Sequence, residues 1–143
     1  MSVRDRPAPV LVVDDSWYMQ SLFRDALESA GLEVVCTGTA AEALRLYGEV
    51  RPGLVLMDLV LPDVDGITAT SQIRNLDPEA RVLVVTGFVD ERARMLARQA
   101  GVAGFLSKPI SGRELAAQVR AALGLPVGAA WGLQTRGAPA LAA

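Results

Sequence analysis

The chain has 143 residues, 51% of them hydrophobic and 21% charged, with a formal net charge of -2 and a pI near 5.1. That length suits one domain with a full core and is too short for two of ordinary size, and the composition excludes a disordered chain. The acidic balance argues against a broad nucleic-acid footprint, the single Cys36 excludes an internal disulfide, and the lack of any His argues against a zinc site of the usual kind. Residues Met1 to Pro9 carry charges and two prolines but no apolar signal core. Nowhere does the chain reach the roughly 20 apolar residues of a membrane span, so a cytoplasmic protein without membrane contact is expected.

In chain order, Pro9 to Val13 is a continuous apolar run, β-branched enough to read as a strand buried on both faces, and it ends in Asp14 and Asp15. Ser16 can cap the helix that follows, in which Leu22, Phe23, Ala26, Leu27 and Ala30 form an apolar stripe before Gly31 stops it. Leu32 to Thr37 is a second strand. Thr39-Ala40-Ala41-Glu42 has capping-box spacing, and Ala40, Ala43, Leu44 and Tyr47 supply the buried face of a helix ended by Arg51-Pro52-Gly53. Gly53 to Met57 is a third strand and runs straight into Asp58. The exit loop from Leu59 to Gly66 leads to a helix with Ile67, Ala69, Thr70 and Ile73 inward, terminated at Asp77-Pro78. Arg81 to Thr86 is a fourth strand, and Asp90 to Ala100 a helix with Ala93, Leu96, Ala97 and Ala100 at helical spacing. A short strand, Gly104 to Leu106, precedes Ser107-Lys108. Ser111-Gly112-Arg113-Glu114 again has capping-box spacing and opens a final helix, with Leu115, Val119, Ala122 and Leu123 inward, to Gly124.

Strict alternation of five strands and five helices with connections this short requires right-handed crossovers onto a mostly parallel sheet covered on both faces: a doubly wound α/β fold. Residues 1–8 form an N-terminal arm, 9–124 the domain, and 125–143 a Gly/Ala/Pro-rich flexible tail carrying Trp131, an indole suited to docking or merely incidental.

Ligands of open α/β sheets bind at the carboxyl edge of the strands, and there the sequence gathers Asp14, Asp15, Asp58, Thr86 and Lys108. Each has a duller explanation alone. Asp14 and Asp15 suit the start of a helix, where acids are favoured; Asp58 suits a turn, Thr86 a strand, Lys108 a solvated surface. Their joint placement is what those explanations do not supply. Three carboxylates without His or Cys suit a hard divalent cation, Mg²⁺ when a phosphate completes the shell, with Mn²⁺ as an alternative on the same oxygen set. Lys108 then offers a point charge and Thr86 a hydroxyl to phosphoryl oxygens, beside a carboxylate nucleophile. Cys36 and Met57 are read as core fillers.

This motif set resembles the receiver domain of two-component response regulators, with its chemotaxis-regulator-like fold. The likeness rests on the acidic pair Asp14-Asp15, Leu56-Met57-Asp58-Leu59 with Pro62 and Asp65-Gly66 downstream, Thr86-Gly87, and Lys108-Pro109, and it spans Val10 to about Leu123. It implies a flavodoxin-like five-stranded parallel sheet of order 2-1-3-4-5. It implies too that Asp58 is the phosphoacceptor from a histidine kinase or phosphotransfer protein. Asp15 and Asp58 would ligate Mg²⁺ with the backbone carbonyl of Val60, and Asp14 would assist. Lys108 would pair with the carboxylate and then the phosphoryl group, Thr86 would move onto a phosphoryl oxygen, and Phe105 would swing inward as the switch. The bond between Lys108 and Pro109 is commonly cis in the family. The surface reporting the switch to a downstream target or a second copy would be the fourth helix, fifth strand and fifth helix. Such a protein accepts phosphate and is not a dedicated enzyme. With no output domain following in this sequence, the receiver is expected to act alone through protein contacts, the alternatives being a phosphate relay or a receiver cut from a larger protein at the Gly/Ala/Pro-rich tail.

Two positions depart from common patterns. Val60 and Phe88 stand where polar side chains often orient a hydrolytic water, so they are expected to prolong the life of the acyl phosphate. Asp63 stands where the family often has glycine; it is expected to be exposed, and the departure puts little of the resemblance in doubt. Competing readings fare worse. A haloacid-dehalogenase-like phosphatase wants an acid where Val60 stands, neither glycine-rich phosphate motif is present, and the glycine of Asp63-Val64-Asp65-Gly66 is misplaced for calcium. The serious rival is a receiver-like adaptor or dimerisation module that works without phosphorylation.

Overall fold

The computed structural model describes residues 7–87 and 90–126. Phe88, Trp131 and most of the N-terminal arm and C-terminal tail lie outside the described residues. The elements alternate as β1 (Val10–Val13), α1 (Trp17–Ser29), β2 (Val34–Thr37), α2 (Ala40–Val50), β3 (Leu54–Met57), α3 (Gly66–Leu76), β4 (Val82–Thr86), α4 (Glu91–Ala100), β5 (Gly104–Ser107) and α5 (Gly112–Ala122). The five strands form one sheet of order β2-β1-β3-β4-β5, parallel throughout, the doubly wound architecture that the alternation predicts.

β1 and β3 are continuous apolar runs because they lie inside the sheet and are covered on both faces, each residue at most 1% exposed. Burial of each such Val or Leu side chain is worth roughly 1.5–3 kcal/mol. Successive residues feed opposite layers. Val10, Val12, Leu54 and Leu56 pack with Phe23 and Leu27 of α1 and Leu115 of α5. Leu11, Val13, Val55 and Met57 pack with Ala43 and Tyr47 of α2 and Ile73 of α3.

Each helix starts on a side-chain cap: Ser16, Thr39, Asp65, Asp90 and Ser111 accept from the backbone N–H three residues on. Two local expectations are corrected. Leu22 does not belong to the buried stripe of α1; it sits on the helix flank, 43% exposed, while Phe23 and Leu27 face inward. β2 begins at Val34, because Leu32 is used to close α1: its N–H bonds the Leu27 carbonyl at 3.0 Å and its side chain is buried. Among the described residues no helix is long and apolar enough to cross a membrane.

Candidate functional site

The parallel register Val13↔Met57 puts the residues that follow, Asp14 and Asp58, side by side as the strands end. Ladder bonds continue one step past the strands and fix both backbones: Asp14 N donates to the Thr37 carbonyl and Asp58 N to that of Val13, each at 3.0 Å. Asp15 follows on the exposed side. Carboxylate oxygens of Asp14, Asp15 and Asp58 come within 4.8 Å of one another. Lys108 reaches this group from the loop after β5, its own N–H donating to the Thr86 carbonyl at 2.9 Å. The Lys108–Pro109 bond is cis.

The hydrogen bonds divide the carboxylate oxygens sharply. Lys108 Nζ donates to Asp14 Oδ2 at 2.6 Å and to Asp58 Oδ2 at 2.8 Å. Asp58 Oδ1 accepts from the Thr86 hydroxyl at 2.9 Å and from Val60 N at 3.2 Å. Asp14 Oδ1 accepts from Ser16 N at 2.9 Å. Asp14 and Thr86 are buried, and Lys108 is half-buried. Burial lifts the Asp14 carboxyl above its ordinary value, more than its bonds to Lys108 and Ser16 lower it. Burial also works against the Lys108 ammonium, but the two carboxylates outweigh it and hold that proton more tightly than usual.

Three carboxylates against one ammonium leave a net charge of about two negative units in a cleft, the deficit a divalent cation removes. The donor set is all oxygen, as Mg²⁺ and Mn²⁺ prefer. The residues present therefore fit such an ion.

Asp14, Asp15, Asp58, Thr86 and Lys108 are thus brought together. The Val60 side chain points outward, 60% exposed, with its backbone beside Asp58. Leu59 and Val60 also line a mostly apolar groove of about 560 Å³ between α3 and α4, apart from the carboxylate cluster. The register Val84↔Phe105 places Phe105 on the same sheet face as Thr86, two residues away along the neighbouring strand, with the Arg94 guanidinium 4.8 Å over its ring. Gln20 has no signal in the sequence pattern, yet its side-chain amide donates to the Asp14 carbonyl at 2.7 Å and pins the acidic loop. Arg94 was equally hidden, since nothing in helical spacing says which aromatic a surface arginine will cover. Asp63 is exposed but engaged, its carboxylate accepting from Ala40 N and Ala41 N at the start of α2.

A parallel sheet of this order whose carboxyl edge gathers three acids, a lysine and a threonine defines a signalling receiver: residues 10–120 match the response regulator receiver domain model, and the chain belongs to that family. Among relatives, it is 40% identical to the polar-differentiation response regulator DivK of Brucella anthropi over 108 residues, 73% of this chain and 87% of that protein. It is 37% identical to the chemotaxis protein CheY of Bacillus subtilis over 101 residues, 70% and 84% of the two chains. Among solved structures, a CheY-like receiver domain protein from Methanospirillum hungatei superposes with a TM-score of 0.79 at 27% identity, covering 82% of this chain and 94% of that one. A LuxR-family two-component response regulator from Aurantimonas gives 0.76 at 33% identity, covering 94% and 99%.

Proposed function

We propose that Asp58 accepts a phosphoryl group from the phosphohistidine of a sensor kinase or phosphotransfer protein, in a Mg²⁺-dependent step in the cytoplasm, and that the modified receiver signals through protein contacts. The observation that carries this reading is the division of labour around Asp58, with Lys108 on one oxygen and Thr86 on the other. An Asp58 oxygen attacks phosphorus, the new O–P bond forms, and the P–N bond breaks as the imidazole leaves with its electron pair. Asp14, Asp15, Asp58 and the Val60 backbone carbonyl would hold the cation, which when bound neutralises charge gathering on the phosphoryl oxygens.

Phosphorylation replaces one negative charge by nearly two and adds acceptor oxygens. The Thr86 hydroxyl and the Lys108 ammonium then have phosphoryl oxygens to bond in place of the carboxylate. Thr86 and Phe105 share a sheet face, so a shift of one opens or fills space beside the other and biases the surface of α4, β5 and α5 toward a target or a second copy. Arg94 joins α4 to that ring. The lasting product is the modified protein itself, which is why we read it as an acceptor and not a dedicated enzyme. Val60, apolar and exposed beside Asp58, offers no hydrogen bond to a hydrolytic water, and Phe88 is read the same way from the sequence. A long-lived acyl phosphate follows.

Incubation with radiolabelled acetyl phosphate tests the scheme. Mg²⁺-dependent, hydroxylamine-labile label should appear in the parent and vanish in Asp58→Asn, beryllofluoride with Mg²⁺ should change Trp17 fluorescence, and label should decay several-fold faster in Val60→Asn. No label, or label that survives in Asp58→Asn, would favour an adaptor independent of phosphorylation. Unchanged decay in Val60→Asn would remove only the lifetime assignment.

A further inference from the structure

Asp63 sits in the β3–α3 loop, three residues past Val60, and both of its carboxylate oxygens are used. Oδ1 accepts from Ala40 N at 3.0 Å and Oδ2 from Ala41 N at 2.9 Å. These N–H groups belong to the first turn of α2 and have no partner inside the helix. The next, on Glu42, is taken by the Thr39 hydroxyl at 3.2 Å. The cap therefore comes half from the helix's own segment and half from a loop more than twenty residues on.

The consequence for that loop is larger than for the helix. Its first residues are held by Val60 N on Asp58 Oδ1 at 3.2 Å and by Gly66 N on the Leu59 carbonyl at 2.9 Å. Its last are held by Asp65, which caps α3 through Thr68 N at 2.9 Å. Between them Leu61 and Val64 rest, partly buried, against the core, and Asp63 adds a hydrogen-bonded tie to α2 beside Pro62, which stiffens the backbone. α2 itself packs on the sheet through Ala40, Ala43 and Tyr47, so it is a firm anchor.

We propose that Asp63 is a positioning residue for the metal site: by fastening the β3–α3 loop to α2 it sets the place of the Val60 backbone relative to Asp14, Asp15 and Asp58. The inference rests on the cation-binding reading given above. Groups that hydrogen-bond a metal ligand directly typically contribute about 10- to 100-fold to metal affinity. An exposed carboxylate acting through a backbone belongs at the lower end of that range.

The test is calorimetric titration of the full chain with Mg²⁺ at neutral pH, followed in parallel by Trp17 fluorescence, for the parent, Asp63→Ala, Asp63→Asn and Thr39→Ala. Asp63→Ala should bind roughly 10-fold more weakly, and Asp63→Asn, which keeps one acceptor oxygen, should fall between. Thr39→Ala removes the other half of the same helix cap; it should lower Tm and leave the Mg²⁺ affinity at the parental value. Repeating the titrations at high salt separates positioning from simple charge removal, which would fade as ions screen it. Parental affinity in Asp63→Ala, equal weakening in Thr39→Ala, or an effect that disappears in salt overturns the proposal. Should Asp63→Ala not fold, Asp63→Asn decides alone: weaker binding supports the proposal and parental binding overturns it. A parent that binds no Mg²⁺ removes the functional reading and this inference with it, whereas a parent that binds beside an equally competent Asp63→Ala removes only this one.

Discussion

At Asp14 burial works against the charge of a site residue. It is 2% exposed, and burial holds its carboxyl above the ordinary 3.8 despite the bonds from Lys108 and Ser16. A group whose folded pKa is raised contributes stability that is complete below its unfolded value and is lost as pH rises through the folded one. At neutral pH the metal-free protein therefore carries Asp14 as a cost. Asp14→Asn should raise Tm by a few degrees in chelator at neutral pH, the gain should shrink below the ordinary carboxylate range, and Mg²⁺ binding should weaken; a fall in Tm at neutral pH would show that the Lys108 ion pair outweighs burial. At this scale the sequence was informative where a charge ended an apolar run, as at Asp14, Asp58 and Lys108. It was silent on Gln20 and on the partners of Asp63, whose exposure it did give, because what those side chains bond is decided by which segments the fold brings beside them.

At the scale of elements, α3 shows how closely the site loop is packed. A Cβ added to Gly66, in the buried first turn of α3, would fall inside contact distance of the Asp58 carbonyl oxygen and 2.8 Å from the Leu59 Cα. Both obstacles are backbone, so neither can rotate away. Gly66→Ala should cost more than about 2 kcal/mol in denaturant unfolding and weaken Mg²⁺ binding as the loop shifts; a cost below about 0.5 kcal/mol would mean that α3 slides freely. Helix starts were legible because a capping side chain and an apolar period announce them together. The start of β2 was not, since Leu32 looks like a strand residue and only the closing turn of α1 shows its use. Leu22 failed for a related reason: it lies one position around the helix from Phe23, and periodicity alone does not say where a buried stripe ends.

The whole molecule responds to acid in the opposite sense to Asp14. The N–H groups of Ala40 and Ala41 hold the Asp63 carboxyl below its usual range, the Tyr47 hydroxyl and Glu79 N do the same for Asp77, and at Asp65 the bonds from Thr68 outweigh its burial. Such groups stabilise above the unfolded value and lose that contribution as pH falls through the folded one. Tm should therefore drop as pH is taken below the ordinary carboxylate range, and Mg²⁺ at 100 times its Kd should add about 2.7 kcal/mol at neutral pH but little in acid. A Tm that holds steady to low pH would contradict the assignment of these three acids. The parallel topology has one more effect. All five helices begin at the edge where the carboxylates gather, so each sets the positive end of its peptide dipole there, equivalent to roughly half an elementary charge. At α2, α3 and α4 that end is already met by the carboxylates of Asp63, Asp65 and Asp90, so an anionic phosphodonor approaching the metal-free edge meets net negative charge, and because ions screen such a field within about 8 Å at physiological strength, its capture rate should rise as salt is added.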